Sequence, residues 1–201
     1  MLILAADTSL PLLSVALLRD ETLAGALALE GKGSRNEKLL PSIDWLLAES
    51  GVRRDEIDLF AVTRGPGSFT GVRIGLATVQ GLALVLGRPV CAMSTHEAIA
   101  ETCDEAVVVD DAGRGEFYVT EFAGGEEVVP PRLAGAEERS RLAGNVIHVP
   151  EFIRQHNVAA SCARRALRAA LREELARYSD ATPIYVRLAE AEVKLRQKRE
   201  A

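Results

Sequence analysis

The chain has 201 residues, 48% of them hydrophobic and 26% charged. That is the composition of one folded domain or two small lobes, with a core that needs neither disulfides nor a structural metal, and it excludes a disordered chain. A net charge of −5 makes the whole chain a poor candidate to hold nucleic acid by itself. The charge is uneven. Residues 161–201 carry ten basic and six acidic side chains, and residues 1–160 carry 14 and 23. A basic tail on an acidic body suits an anionic partner, but Arg164, Arg165, Arg168 and Arg172 also read as the solvated face of a helix. Cys91, Cys103 and Cys162 form no CxxC pair, which fits a reducing compartment. The opening MLILAADTSL has no basic stretch and meets Asp7 early, unlike a secretory leader. The apolar run at 82–86 is far short of the roughly 20 residues of a membrane span. A cytoplasmic location without membrane attachment is expected.

In chain order, apolar runs predict strands at 2–6, 12–18 and 22–29, broken by Gly31-Lys32-Gly33-Ser34. Leu39, Leu40, Ile43, Leu46 and Leu47 recur at helical spacing, with Gly51 placed to end the helix and Pro41 blurring its start. A strand at 59–63 leads through a glycine-rich loop into a helix at 71–86. A short strand at 90–93 and a short helix opened by Ser94 or Thr95 connect to a second half. There, strands are predicted at 106–109, 116–122 and 126–129, a short helix at 136–142, a strand at 146–149 and a long helix at 159–178. Each half reads βββαβα, the second shortened. This predicts a duplicated α/β architecture with mixed sheets, divided at residues 1–102 and 103–201. It is not the βαβα alternation of a dinucleotide fold.

The most informative stretch is RGPGSFTGVRIG at 64–75. Glycines between a strand and a helix suit a phosphate loop, since glycine permits close backbone approach and a helix N-terminus offers free N–H groups. The spacing GxGxxxG matches neither GxGxxG nor GxxxxGK[ST], and a tight turn whose glycines serve packing explains it equally. The helix that follows is apolar nearly all round and must be covered on both sides, either within the chain or by a partner. Asp7-Thr8-Ser9 and Asp110-Asp111-Ala112-Gly113 end the first strand of each half. They could flank a nucleotide between the lobes, with Asp7, Thr8, Ser9, Asp111 and Gly113 facing it, or serve as ordinary turns. His96, His148 and His156 are unpaired at metal-binding spacings, so no metal site is expected. Ser68 lies in GPGSF, not GxSxG, which disfavours a hydrolase nucleophile.

These segments carry a resemblance. ILAADTS (3–9), LLPSIDWLL (39–47), GPGSFTGVRIG (65–75), MSTHEAIA (93–100), DAGRGEFY (111–118) and PIYVR (183–187) are similar, in this order, to the bacterial TsaB (YeaZ) family. GPGSFTGVRIG is the most specific of them. The resemblance implies two actin/Hsp70-like (ASKHA) lobes and a part in making threonylcarbamoyladenosine in tRNA. It implies a noncatalytic subunit that binds and activates a metal-bearing TsaD-type transferase paralogue, joined by a TsaE-type ATPase, reaching tRNA through the complex. ATP or ADP would enter at the complex interface rather than as a cofactor of this chain. The helices at 39–47 and 71–86 would meet the paralogue, or a second copy when the chain is alone. Leu39, Leu40, Ile43, Leu46, Leu47, Gly71, Val72, Gly75, Leu76 and Val79 would form that interface.

The absence of an HxxxH motif separates the chain from the transferase and argues against a glycoprotease-like peptidase. Departures from the family pattern are Asn36-Glu37 ahead of LLP, Gly113 after Asp-Ala, and the short second lobe. The alternative from another class is an ATP-dependent small-molecule kinase of the actin-like superfamily. Ser9, where a phosphate loop would carry glycine, counts against it.

Overall fold

The computed structural model describes residues 1–30 and 35–187. The Gly31–Ser34 break and the last basic residues, Lys194, Arg196, Lys198 and Arg199, lie outside the described residues. The first half contains β1 (Leu2–Asp7), β2 (Leu13–Arg19), β3 (Thr22–Leu29), α1 (Arg35–Glu49), β4 (Leu59–Thr63), α2 (Phe69–Leu86), β5 (Val90–Met93) and α3 (Thr95–Ile99). The second contains β6 (Ala106–Gly113), β7 (Glu116–Ala123), β8 (Glu126–Gly135), α4 (Ala136–Arg139), β9 (Val146–His148), α5 (Val149–Gln155) and α6 (Val158–Leu171).

The duplication read from the pattern is present in the topology. One sheet has the order β3-β2-β1-β4-β5 and the other β8-β7-β6-β9. In each, three strands form an antiparallel meander and the fourth pairs parallel with the first, β4 with β1 and β9 with β6. Strands β1 and β4 are buried along their whole length. They therefore read as unbroken apolar runs rather than as alternation.

Helices α1 and α2 cover one face of the first sheet. Leu39, Ile43, Leu46 and Leu47 of α1 and Val72, Leu76 and Val79 of α2 pack on Leu4, Val15, Leu17, Phe60 and Val62. α1 begins six residues before Pro41. The proline lies on the exposed side, where a carbonyl left without its amide partner can turn to water. Gly25 of the edge strand β3 lets α1 close down: a Cβ there would stand 2.8 Å from Leu46 Cδ1.

The opposite face of that sheet is covered by α6, which comes from the second half. Ala159, Cys162, Ala163 and Ala166 meet Ile3, Ala5, Ala16, Leu59 and Ala61, and the same core continues into Val108 and Phe122 of the second sheet. Small residues on both sides let helix and sheet approach closely. The packing thus crosses the division at residue 102.

Several boundaries differ from the sequence reading. The helix expected to reach 178 stops at Leu171. Glu173 takes φ +60 and a 3₁₀ turn at Leu175–Tyr178 folds back. α5 occupies residues read as strand end and loop, with Pro150 in its first turn, where a missing N–H costs nothing. β8 runs on through Pro130 and Pro131, which a sheet edge tolerates.

The arginines of α6 do not form a uniform solvated face. Arg165 donates to Glu97 Oε1 of α3 (Nη2, 2.9 Å) and to Gly125 O of the β7–β8 turn (3.1 Å). Tyr178 OH donates to the same Glu97 oxygen at 2.6 Å. Arg168 pairs with Glu101. Glu97 is mostly buried, so its loss would leave a guanidinium and a phenol without their acceptor. Removing one partner of such a pair costs about 3–5 kcal/mol. Glu97→Ala is therefore expected to destabilise the chain by about 3 kcal/mol, read as a lower urea midpoint with unchanged slope.

Candidate functional site

β1 ends in Asp7-Thr8-Ser9, and the loop at 64–68 folds onto that turn. Ser68 N–H donates to Ser9 O at 2.7 Å, and Thr8 Oγ1 donates to Gly71 O at 2.6 Å. Gly67 has φ +149, and a Cβ there would stand 2.4 Å from Ser9 O. A Cβ on Gly75 would meet Thr8 Oγ1 at the same distance. These two positions admit no side chain, so the glycines serve close packing against the turn. Ser68 Oγ accepts from Gly71 N–H and caps α2.

The turn is itself locked. Ser9 Oγ donates to Asp7 Oδ1 at 2.5 Å and lies 2.9 Å from Thr95 Oγ1. Thr63 Oγ1 also donates to Asp7 Oδ1, while Asp7 Oδ2 is buried without a partner. Burial raises the Asp7 carboxyl above its ordinary 3.8, against the pull of Ser9 and Thr63. His96, beside Thr95, is fully buried, with Nδ1 2.7 Å from Thr120 Oγ1 of β7. Burial depresses its pKa to about 3, so it is neutral at physiological pH and ties α3 to the second sheet.

A cleft of about 520 Å³ lies between the lobes. Ser9, Gly67 and Ser68 form one wall, and Asp110, Asp111, Gly113 and Tyr118 the other. Of the five residues expected to face a nucleotide, Ser9, Asp111 and Gly113 line this cleft. Asp7 and Thr8 are fully buried beneath it and do not. Asp110 lines the cleft instead, nearly buried, with its pKa pushed up from 3.8 to about 6, mainly by burial and further by Asp111 and Asp7. Asp110 and Asp111 accept from the following backbone N–H groups of Asp111 and Gly113, which is turn chemistry. The carboxylates of Asp110 and Asp111 on this second wall oppose a bare polyphosphate. Among the described residues, no group of three or more His, Cys, Asp or Glu is placed to share a metal ion.

The ten residues assigned to a partner interface need correction. Leu39, Ile43, Leu46, Leu47, Gly71, Val72, Gly75, Leu76 and Val79 are all buried inside the first lobe, and only Leu40 is exposed. Helical spacing found the apolar face, and this chain's own sheet fills it. The exposed apolar side chains of the same helices lie on their outer sides: Leu40 (44% exposed) and Trp45 (52%) on α1, Leu84 (83%) and Val85 (84%) on α2. Of these, only Trp45 stands off an apolar stripe in the sequence; Leu40 belongs to the stripe of α1, and α2 is apolar nearly all round. By length and apolarity α2 could cross a membrane, which the run at 82–86 alone understates; here its inner face packs on β1, β4 and β5.

The family model for TsaD, tRNA N6-adenosine threonylcarbamoyltransferase, matches residues 33–160. The TsaB protein of Escherichia coli is 34% identical over 154 residues, 74% of this chain and 65% of that protein. The Haemophilus influenzae TsaB protein is 39% identical over 127 residues, 59% of this chain and 52% of that one. The solved structure of YeaZ from Pseudomonas aeruginosa superposes with a TM-score of 0.71 at 28% identity, covering 92% of this chain and 99% of that one. The chain belongs to the TsaB/YeaZ family. It spans between about half and two-thirds of the length of the curated relatives it matches.

Within this family member, the signature helix and the cleft are two sides of one construction, because Gly67 and Ser68 open α2 and also form the cleft wall. Asp110 gives the cleft a measurable charge behaviour. Folding raises its pKa, so the stability it contributes is complete below about pH 4 and is lost as pH rises through about 6. Asp110→Asn keeps the acceptor for Asp111 N–H. It is expected to be more stable than the parent at pH 8, by up to about 3 kcal/mol, and equal to it at pH 4. Urea midpoints of both proteins at the two pH values check this.

Proposed function

We propose that this chain is a noncatalytic partner subunit in the formation of threonylcarbamoyladenosine in tRNA, docking on a TsaD-type transferase through the outer sides of α1 and α2. The observation that carries the reading is Leu84 and Val85, more than four-fifths exposed on a helix whose inner face is already filled. Two adjacent aliphatic side chains in water are what a docking surface leaves open when its partner is absent, and α1 adds exposed Leu40 and Trp45, the latter in a groove beside Leu27 and Leu29 of β3. TsaB relatives of known name support the pathway. A second copy of the chain would use the same surface when the transferase is missing. A TsaE-type ATPase and tRNA would join through the transferase complex.

The cleft supports a noncatalytic role. A phosphate loop presents free N–H groups and bare glycine backbone to an anion. Here the Ser68 N–H is bonded to Ser9 O, Gly67 is pressed on the turn, and the opposite wall is acidic. ATP or ADP therefore belongs at the interface of the complex, not in this chain alone.

Two measurements test the reading. Leu84→Asp and Val85→Asp are expected to leave the chain folded and to weaken binding to the purified transferase at least about 30-fold, or 2 kcal/mol. Leu39→Asp, by contrast, is expected to unfold the first lobe, because its side chain has no access to water. Calorimetric titration with circular dichroism of each variant separates the two outcomes, and unchanged affinity for both surface variants would place the interface elsewhere. Mg-ATP is expected to leave the melting temperature of the isolated chain unchanged, whereas a ligand at 100 times its Kd would add about 2.7 kcal/mol. A clear shift would favour the kinase alternative.

A further inference from the structure

After the 3₁₀ turn at Leu175–Tyr178 the chain runs back across the first lobe, and residues 180–187 touch both the residues that flank the first wall of the cleft, Arg64, Gly65 and Phe69, and Gly113 of its far wall. The run begins on the loop that leads into α2. Ile184 N–H donates to Arg64 O at 2.7 Å, and Arg64 Nη1 donates to Asp180 Oδ2 (3.1 Å) and Thr182 O (3.2 Å). The fit is backbone on backbone: a Cβ on Gly65 would stand 2.7 Å from Ile184 O.

Tyr185 then seats on the first turn of α2. Its ring lies 4.6 Å from that of Phe69, and its hydroxyl accepts from Arg73 Nε at 2.7 Å. The Arg73 guanidinium sits 3.9 Å above the Phe69 ring, completing a cation–aromatic cluster at the start of the helix. Two residues later the same strand of chain reaches the second lobe. Arg187 pairs with Glu116 of β7 and lies 3.3 Å from Gly113 O, on the far wall of the cleft.

We infer that residues 180–187 are an interlobe strap that fixes the cleft aperture and the first turn of α2 together, so that the width of the cleft and the pose of the helix change as one. The strap is independent of the α6 junction, where Arg165 and Arg168 join the lobes on the other side of the first sheet. Three residues, Tyr185 to Arg187, bridge the first turn of α2 and the β6–β7 turn. Slack in a half-buried segment of that length is small, so release at one end is felt at the other.

Hydrogen exchange of the full chain, followed by mass spectrometry, tests this without a partner, and the outcome does not depend on the docking reading. Arg187→Ala removes the anchor on the second lobe. It is expected to raise amide exchange at least about tenfold in the peptides covering 64–70 as well as in 110–118, although the bonds it removes go to Gly113 and Glu116. Tyr185→Ala removes the anchor on α2, where it meets Phe69 and Arg73, and is expected to raise exchange in 110–118 on the other lobe. Arg187→Lys keeps the charge and is expected to restore most of the protection. If Arg187→Ala folds poorly, Glu116→Gln weakens the same anchor from the other side and must give the same two-wall pattern. Increases confined to the wall next to each substituted residue would overturn the strap.

Discussion

The first lobe depends on one backbone contact, the seating of Gly67 and Ser68 on the carbonyl of Ser9. The distance leaves no room for a Cβ at Gly67, and the hydrogen bond from Ser68 fixes where α2 begins. Everything downstream of that contact inherits its placement: the N-cap, the line of α2 over β1 and β4, and the first wall of the cleft. The cost is borne by ligand chemistry. A turn whose serine oxygen bonds an aspartate and faces a threonine, and whose backbone oxygen holds a helix start, has few groups left to offer an anion. The same glycine spacing that looks like a phosphate loop in the sequence is an internal fastener in the fold.

Much of the fold was legible because its signals are local. The βββαβα repeat appears as four strands of matching order and sense of pairing in each sheet, with β5 added in the first, and β4 and β5 coincide with the apolar runs that predict them. The missed features are those decided by tertiary context. Pro130 and Pro131 argue against a strand until β8 is known to be an edge. The helix at 159–178 has apolar spacing to its end, but Glu173 turns left-handed and Tyr178 is drawn back to Glu97. α5 has too short a sequence to declare itself against the strand before it.

At the candidate site the legible part was the turns, and the illegible part was which residues of them are wet. Ser9, Asp111 and Gly113 face the cleft, whereas Asp7 and Thr8 sit beneath it, a distinction set by how far the loop at 64–68 closes over β1. The interface residues illustrate the same limit. Periodicity identifies the side of a helix that avoids water, and Leu39, Ile43, Leu46 and Leu47 do avoid it, against β1, β2 and β4. It does not identify the apolar side chains that stay in water, such as Trp45, Leu84 and Val85.

The placement of α6 bears on how the chain is made. Ile3, Ala5, Ala16, Leu59 and Ala61 all lie within the first third of the sequence and the last strand of their sheet, β5, ends at Met93, yet the helix that covers them ends at Leu171. During synthesis from the N-terminus the first lobe therefore has its α1 and α2 side closed and its other side bare until residues 158–171 have emerged. Folding of the first lobe cannot be completed ahead of the second, and a nascent chain stalled anywhere between the lobes exposes an apolar sheet face to the cell.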